Sequence, residues 1–136
     1  MAKQYLDYRA GIGNVGSYQA SAKPYISSSI SIPADTTPVE IEFPNITRFL
    51  TVKNDSIDTS DVRVGFSYNG VMESPYSNFF ILEDGENYSG DWRVRSVWVR
   101  RVGASSATAS VTVIAGLTGI DYKDLNHNWS GSDGVG

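Results

Sequence analysis

The sequence holds few residues of the types that carry out catalysis. It contains a single histidine, His127, and no cysteine, so a histidine-dependent triad would rest on one side chain and a cysteine nucleophile is excluded. Gly11, Gly13 and Gly16 have the spacing of a dinucleotide-binding loop. Such a loop needs a preceding strand and a following helix, and neither flank has that pattern. We therefore expect no nucleotide cofactor.

Oxygen-bearing side chains near the C-terminus alternate as they do at the start of a calcium-binding loop. They are Asp124, Asn126, Asn128 and Ser130. Trp129 stands where that loop needs a glycine for its sharp turn, and Val135 stands where it needs a bidentate glutamate. A second acidic cluster, formed by Asp55, Asp58 and Asp61, is typical of a solvated loop. We therefore expect no metal site.

Carboxylates that hydrolyse glycosides must face each other across a cleft. The acids near aromatic residues are Glu73, Glu83, Asp84, Glu86 and Asp91. Their glycine, asparagine and serine neighbours are typical of polar loop tips, so the pattern favours solvated loops over a catalytic pair. Because no other catalytic pattern is present, we predict that the protein is not an enzyme.

Arginines cluster around a strand predicted over residues 92–99. They are Arg93, Arg95, Arg100 and Arg101. Alternation places Arg93 and Arg95 on one face of that strand, with Trp92 and Trp98 on the other. Guanidinium groups pair well with carboxylates between subunits, so Arg93, Arg95 and Arg101 are predicted to lie near a subunit interface. An edge strand charged against aggregation explains the same pattern.

Aromatic rings crowd the region between two predicted turns. They are Tyr68, Tyr76, Phe79, Phe80 and Tyr88. Exposed tyrosine rings can stack on sugar faces, which makes Tyr68, Tyr76 and Tyr88 candidate glycan-stacking residues. Burial in the core is the alternative, particularly for the two phenylalanines.

Composition sets the class of protein. At 136 residues with 40% hydrophobic and 19% charged residues, the chain can form one domain with a buried core. A formal net charge of -4 at pH 7 argues against general nucleic-acid binding, which needs a basic surface.

No apolar run approaches the roughly 18 residues that cross a bilayer. Residues 1–10 also lack the apolar stretch of a signal peptide. We expect no nucleic-acid or membrane partner, and synthesis in a cytoplasm.

Alternation of apolar and polar residues predicts β-strands along most of the chain. It is clearest over residues 39–43 and 62–66, where each stretch has one apolar face predicted to be buried. Further strands are predicted over residues 26–32, 48–53, 79–82, 92–99 and 108–114. Asn69-Gly70 and Asp84-Gly85 are dipeptides that favour type I′ hairpin turns. Without a helical period, this pattern predicts an all-β fold, an antiparallel β-sandwich or jelly roll.

Two segments flank the predicted sandwich domain of residues 24–120. Residues 1–23 are rich in glycine, serine and tyrosine and predict an extended N-terminal arm, whereas residues 121–136 predict a flexible polar tail. Terminal disorder and packing along a neighbouring subunit both fit these compositions. Apolar anchors favour docking of the arm on a partner protein, and they are Tyr5, Leu6, Tyr8 and Tyr18.

A glycine-rich arm at residues 5–21 is followed by predicted strands near residues 25–32, 46–54, 64–69 and 110–120. This layout resembles the small virion structural proteins of tailed bacteriophages, particularly capsid decoration or cement proteins. The resemblance implies a β-sandwich or jelly roll, commonly a homotrimer, on the outside of the capsid. It also implies that the partner is the major capsid protein and that the protein is located in the virion.

Other functions fit the same residues. A carbohydrate-binding or host-attachment module would use exposed tyrosine and tryptophan rings as a stacking platform. A head-to-tail connector or tail component would form a ring with more than three subunits. The sequence leaves these alternatives open.

Overall fold

The computed structural model describes residues 22–56, 60–72 and 78–124. These residues form eight β-strands, one four-residue α-helix and a short 3-10 helix. The strands are β1 (Lys23–Ile32), β2 (Val39–Glu42), β3 (Asn45–Asn54), β4 (Val62–Gly65), β5 (Phe79–Leu82), β6 (Asn87–Gly90), β7 (Ser96–Arg101) and β8 (Ala109–Asp121). Helix α1 covers Tyr68–Val71, and the 3-10 helix covers Tyr122–Asp124. Neither helix is long and apolar enough to cross a membrane.

The strands pair as one long hairpin folded over itself. β1 pairs with β8, β2 with β7, β3 with β6, and β4 with β5, all antiparallel. Two further antiparallel pairings, β3 with β8 and β4 with β7, join these pairs into two sheets. Sheet A has the order β1-β8-β3-β6, and sheet B has the order β2-β7-β4-β5. This connectivity is that of an eight-stranded jelly roll, so the prediction of an all-β sandwich or jelly roll is confirmed.

The hydrophobic core lies between the inner faces of the two sheets. Sheet A contributes Leu50, Val52, Val111 and Val113, and sheet B contributes Val62, Val64, Val97 and Val99. Each of these side chains is fully or almost fully buried. Burial of one such side chain stabilises the fold by about 1.5 to 3 kcal/mol. Branched side chains suit this position because they pack well on a pleated surface.

Several strands differ from their sequence-based predictions. β7 begins at Ser96 and not at residue 92, and β8 extends to Asp121 and not only to residue 114. In β4 the predicted exposed face is buried, because the Arg63 guanidinium lies 4.4 Å from the centre of the Phe79 ring and donates to the carbonyl of Val71. β6 was not predicted at all. Its sequence, Asn87–Gly90, has no apolar alternation, and it forms the edge of sheet A through its pairing with β3.

Neither predicted hairpin turn forms as expected. Asn69 and Gly70 lie in helix α1, which begins after Ser67 because the Ser67 hydroxyl accepts a hydrogen bond from the Gly70 amide at 2.9 Å. Asp84-Gly85 does form a turn, but the turn passes from β5 in sheet B to β6 in sheet A. Only Gly85 has a positive φ, of 82°, whereas a type I′ turn needs positive φ at both central residues.

The described strands run from Lys23 to Asp121. Asp121 ends β8 and the 3-10 helix follows it, so these elements include residues 121–124 of the segment predicted as a polar tail, residues 121–136. The remainder of that segment, residues 125–136, lies outside the described residues. The same holds for residues 1–21, which include the predicted arm anchors Tyr5, Leu6, Tyr8 and Tyr18.

Candidate protein-interaction surface

An apolar strip crosses the outer face of sheet A. It consists of Ile26 on β1, Ile114 on β8 and Phe49 on β3, whose side chains are 65%, 39% and 36% exposed. Ile26 lies directly opposite Ile114 in the β1 and β8 pairing, so their side chains are cross-strand neighbours. Three large apolar side chains on adjacent strands form a contiguous exposed patch, which is a feature of binding surfaces.

The Phe49 ring packs over Gly116 at one end of the strip. Phe49 pairs with Gly116, and its ring lies on the outer side of Gly116 where a side chain would otherwise stand. The methyl group of Ala22 lies on the same side, 2.6 Å from the position that a Cβ of Gly116 would occupy. Ala22, the residue before β1, therefore lies on the outer face of sheet A, next to Phe49.

An open depression of about 460 Å³ adjoins the strip at Phe49. Its lining residues are Thr47, Arg48, Phe49, Asp91 and Arg93. A β-bulge forms one wall: Thr47 pairs with Leu117 and Phe49 pairs with Gly116, so Arg48 is the additional residue on β3. Arg48 and Phe49 are both exposed as a result. We call this feature the arginine depression.

The surface has the layout of a protein interface. Its centre is the apolar strip, and charged groups from the arginine depression lie at its margin. Thr51 and Ser89 continue the outer face away from the strip and share a hydrogen bond between their hydroxyl oxygens at 2.8 Å. Interfaces combine apolar or aromatic centres with arginine and a polar rim in this way.

The three arginines predicted to mark a subunit interface do not share a face. β7 begins at Ser96, so Arg93 and Arg95 precede the strand and do not alternate on it as predicted. Arg93 lies in the arginine depression, whereas Arg101 lies at the far end of β7. Because β7 advances roughly 3.3 Å per residue, the two ends of the strand are on the order of 20 Å apart.

Arg95 and Arg101 each have local partners. The Arg95 guanidinium lies 4.9 Å from the centre of the Tyr122 ring, in a second depression of about 370 Å³ that also contains Glu42. Arg101 donates through Nη2 to the Ser60 hydroxyl at 2.8 Å and through Nη1 to the Gly103 carbonyl at 2.7 Å. Arg93 is thus the predicted interface arginine that the structure places beside the apolar strip.

The candidate glycan-stacking residues are also separated. Tyr68, in α1, is 49% exposed, and its ring meets the Trp98 ring edge-on at 5.5 Å. Tyr88, in β6, is half-buried against the core, with its ring centre 4.7 Å from that of Phe80. Tyr68 lies in α1 and Tyr88 lies in sheet A, and the two rings do not form a common platform. Tyr76 lies outside the described residues.

The other chemical candidates give no assembled site in the described part of the chain. Over residues 22–56, 60–72 and 78–124, no group of three or more histidine, cysteine or acidic side chains is arranged to hold a metal. Asp55 accepts a hydrogen bond from the Thr112 hydroxyl at 2.5 Å. His127, Asp58, Glu73 and the glycines at 11, 13 and 16 lie outside the described residues.

The three residues of the apolar strip were not among the candidate site residues predicted from the sequence. A signal for one of them was present. Val111 and Val113 set the buried phase of β8, and Ile114 is an apolar residue in the opposite, exposed phase. Alternation alone puts Ile26 in the same phase as buried Ile32, and only the bulge between Ser27 and Ile30 places the two residues on opposite faces. Their proximity, however, depends on which strands pair.

Comparisons with known proteins give no family. No protein-family model matches the chain, and no curated protein matches it. Among solved structures, the chain is similar to the coat protein of Tobacco streak virus, with a TM-score of 0.35 and 10% sequence identity. That similarity covers 70% of this chain and 87% of the coat protein. The jelly-roll assignment rests on the strand pairing of this chain and not on the similarity.

Proposed function

We propose that the protein is a structural component of a tailed-bacteriophage particle, where it decorates or cements the capsid by binding subunits of the major capsid protein. The observation that carries the proposal is the apolar strip beside the arginine depression. A surface of this kind suits a protein partner, because apolar burial supplies affinity and the arginines select complementary carboxylates.

The fold is compatible with this role but does not select it. Jelly rolls occur in viral capsid domains and also in lectins and enzymes. The proposal therefore rests on the surface and on the sequence layout. It includes a homotrimer located in the virion, and an N-terminal arm whose anchors contact the capsid.

Binding to capsids provides the direct test. Empty capsids assembled from the major capsid protein are sedimented with the purified chain, and the bound fraction is measured across a concentration series. We expect saturable binding that Phe49→Ala weakens about tenfold, which corresponds to the roughly 1.4 kcal/mol of an aromatic contact residue. Arg93→Ala is expected to weaken binding at least severalfold.

Ile81→Ser is the matched control for this test. Ile81 is 48% exposed and lies on β5 in the other sheet, so its replacement is expected to leave capsid binding unchanged. Equal effects of Phe49→Ala and Ile81→Ser, or no binding to capsids, would contradict the proposal.

A truncation that starts at Pro24 tests the arm. Strand pairing continues from Pro24 onward through the β1 and β8 ladder. We therefore expect the sandwich to keep its core without the preceding residues. We expect a melting temperature close to that of the full chain and a large loss of capsid binding. Unchanged binding would show that the arm does not contact the capsid.

The proposed function is non-enzymatic. Broad screening of the full chain for hydrolase activity tests this statement. Robust turnover that a single aspartate or glutamate substitution abolishes would contradict it.

A carbohydrate-binding module is the second candidate, and Tyr68 is the observation that favours it. Its exposed ring is supported edge-on by Trp98, so one face is available to stack on a sugar ring. A glycan array with the wild type and Tyr68→Ala separates the two functions. Saturable binding to one glycan that Tyr68→Ala removes would favour this candidate over capsid decoration.

A further inference from the structure

We propose that the N-terminal segment, residues 1–21, docks on the apolar strip of Ile26, Phe49 and Ile114 within the same molecule. The segment lies outside the described residues, and the strip is exposed in the part of the chain that the structure describes. The inference goes beyond the proposed function, because it concerns the free protein before it meets any partner.

The position of Ala22 is the first observation. Its methyl group lies on the outer face of sheet A, against Gly116 and beside the Phe49 ring. The residue that joins the N-terminal segment to β1 is therefore already at one end of the strip. From there to Ile26, the other end of the strip, is about 13 Å along an extended strand.

The segment has the length and the residues to return to the strip. Residues 9–21 can span up to about 40 Å when extended, which is several times the distance they must cover. Gly11, Gly13 and Gly16 lie inside this stretch and permit a sharp reversal of the chain. A reversal there brings Tyr5, Leu6 and Tyr8 back toward the face from which the chain departs.

The size of the strip favours a short segment over a second globular copy. Three partly exposed side chains present on the order of 300 Å² of apolar surface. A stable interface between two folded proteins buries about 800 Å² on each partner. Two or three aromatic or aliphatic anchors on a single segment match the smaller area.

The same molecule is favoured as the source of the segment because of effective concentration. Because the segment is covalently joined to its own strip through Ala22, its effective concentration there is roughly millimolar. A second copy of the chain at micromolar concentration supplies its segment at a much lower concentration, so it competes poorly for the strip. Docking in this way removes the exposed apolar strip from solvent.

Paramagnetic NMR on the full chain tests the proposal. The chain has no cysteine, so Lys53→Cys gives one site for a nitroxide label on the outer face of sheet A near the strip. We expect the amide signals of Tyr5, Leu6 and Tyr8 to lose most of their intensity relative to the reduced label. A label at Ile81→Cys, on the outer face of sheet B, is expected to leave those signals unchanged.

Substitutions and a mixing experiment identify the surface and the source. Ile26→Ser with Ile114→Ser removes two exposed side chains of the strip and is expected to restore the signals, whereas Ile81→Ser is expected not to. Isotope-labelled wild type mixed with unlabelled, nitroxide-bearing chain is expected to show no broadening. Broadening that appears only in the mixed sample, survives the strip substitutions, or is absent throughout would overturn the proposal.

Discussion

Arg63 and Arg100 lie directly opposite each other on β4 and β7, and both guanidinium groups donate to the carbonyl oxygen of Val71, over 3.3 and 3.5 Å. Arg100 also donates through Nε to the carbonyl of Thr36 at 2.8 Å. Both arginines are buried on the outer face of sheet B. They connect helix α1 and the loop between β1 and β2 to that sheet.

Arg100→Lys is expected to destabilise the domain by about 1 to 2 kcal/mol. Lysine keeps the charge but has no planar fork to reach the carbonyls of Thr36 and Val71 together. Urea denaturation of the two proteins measures the difference. Arg93→Lys is the control, because Arg93 is exposed, and its free energy of unfolding is expected to match the wild type. An equally stable Arg100→Lys protein would show that the two carbonyl contacts contribute little.

Asn54→Ala is expected to cost about 2 to 4 kcal/mol, because it breaks a buried hydrogen-bond network. The Asn54 amide nitrogen donates to the carbonyls of Ser60 at 2.6 Å and Leu82 at 3.0 Å, and its oxygen accepts from the Ser56 hydroxyl at 2.7 Å. Removing the side chain leaves these groups without their partner. Asn87→Ala, at an exposed position in β6, is the control in thermal melts. Similar melting temperatures for the two variants would contradict this account.

Gly65→Ala is expected to destabilise the domain by about 1 to 3 kcal/mol through overpacking. A Cβ at Gly65 would lie 2.9 Å from the backbone oxygen of Asn78 and 2.9 Å from a methyl group of Val71. The matched control is Gly103→Ala, whose Cβ would have no neighbour within 4 Å. The difference between the two variants in denaturant midpoint measures the steric effect alone, and equal midpoints would refute it.

The pH dependence of stability is expected to include a contribution from Glu40. Burial raises the pKa of its carboxyl above the ordinary value and Glu42 raises it further, although the hydrogen bond from the Ser96 hydroxyl at 2.8 Å opposes the increase. The folded protein therefore holds this proton more tightly than the unfolded chain does. The free energy of unfolding accordingly falls as pH rises from the ordinary glutamate pKa through the raised value.

Glu40→Gln is expected to remove this decrease in the free energy of unfolding with rising pH. We expect the variant to exceed the wild type in stability at pH 7 by only a few tenths of a kcal/mol, because the carboxyl is exposed enough for solvent to screen it. Below about pH 4 the two proteins are expected to be equally stable. Denaturant titrations at both pH values provide the comparison, and a variant less stable at pH 7 would contradict the sign.

Self-association is expected to give a trimer. Light scattering at micromolar concentration and physiological salt should report about three times the mass of one chain. Arg93→Glu, in the arginine depression, is expected to lower that mass if Arg93 lies near the subunit interface. A clean monomer for the wild type would contradict the prediction.

The sequence by itself determined the class of fold. Alternation of apolar and polar residues is a local property, and it predicted the bounds of β5 and the buried phase of β2. The absence of cysteine likewise excluded thiol chemistry without any structure. Local patterns failed where a neighbour distant in sequence decides the outcome. β6 forms because its backbone pairs with β3, and Asn69-Gly70 is helical because the Ser67 side chain caps the helix.

Only the tertiary structure brought together the residues of the candidate interaction surface. Ile26, Phe49 and Ile114 are far apart along the chain and become neighbours because β1 and β3 both pair with β8. The predicted row of arginines does not form. Because β7 begins after Arg95, alternation along the sequence does not place Arg93 and Arg101 on one face. Strand pairing and register are set by non-local hydrogen bonds and packing, which no window of local sequence contains.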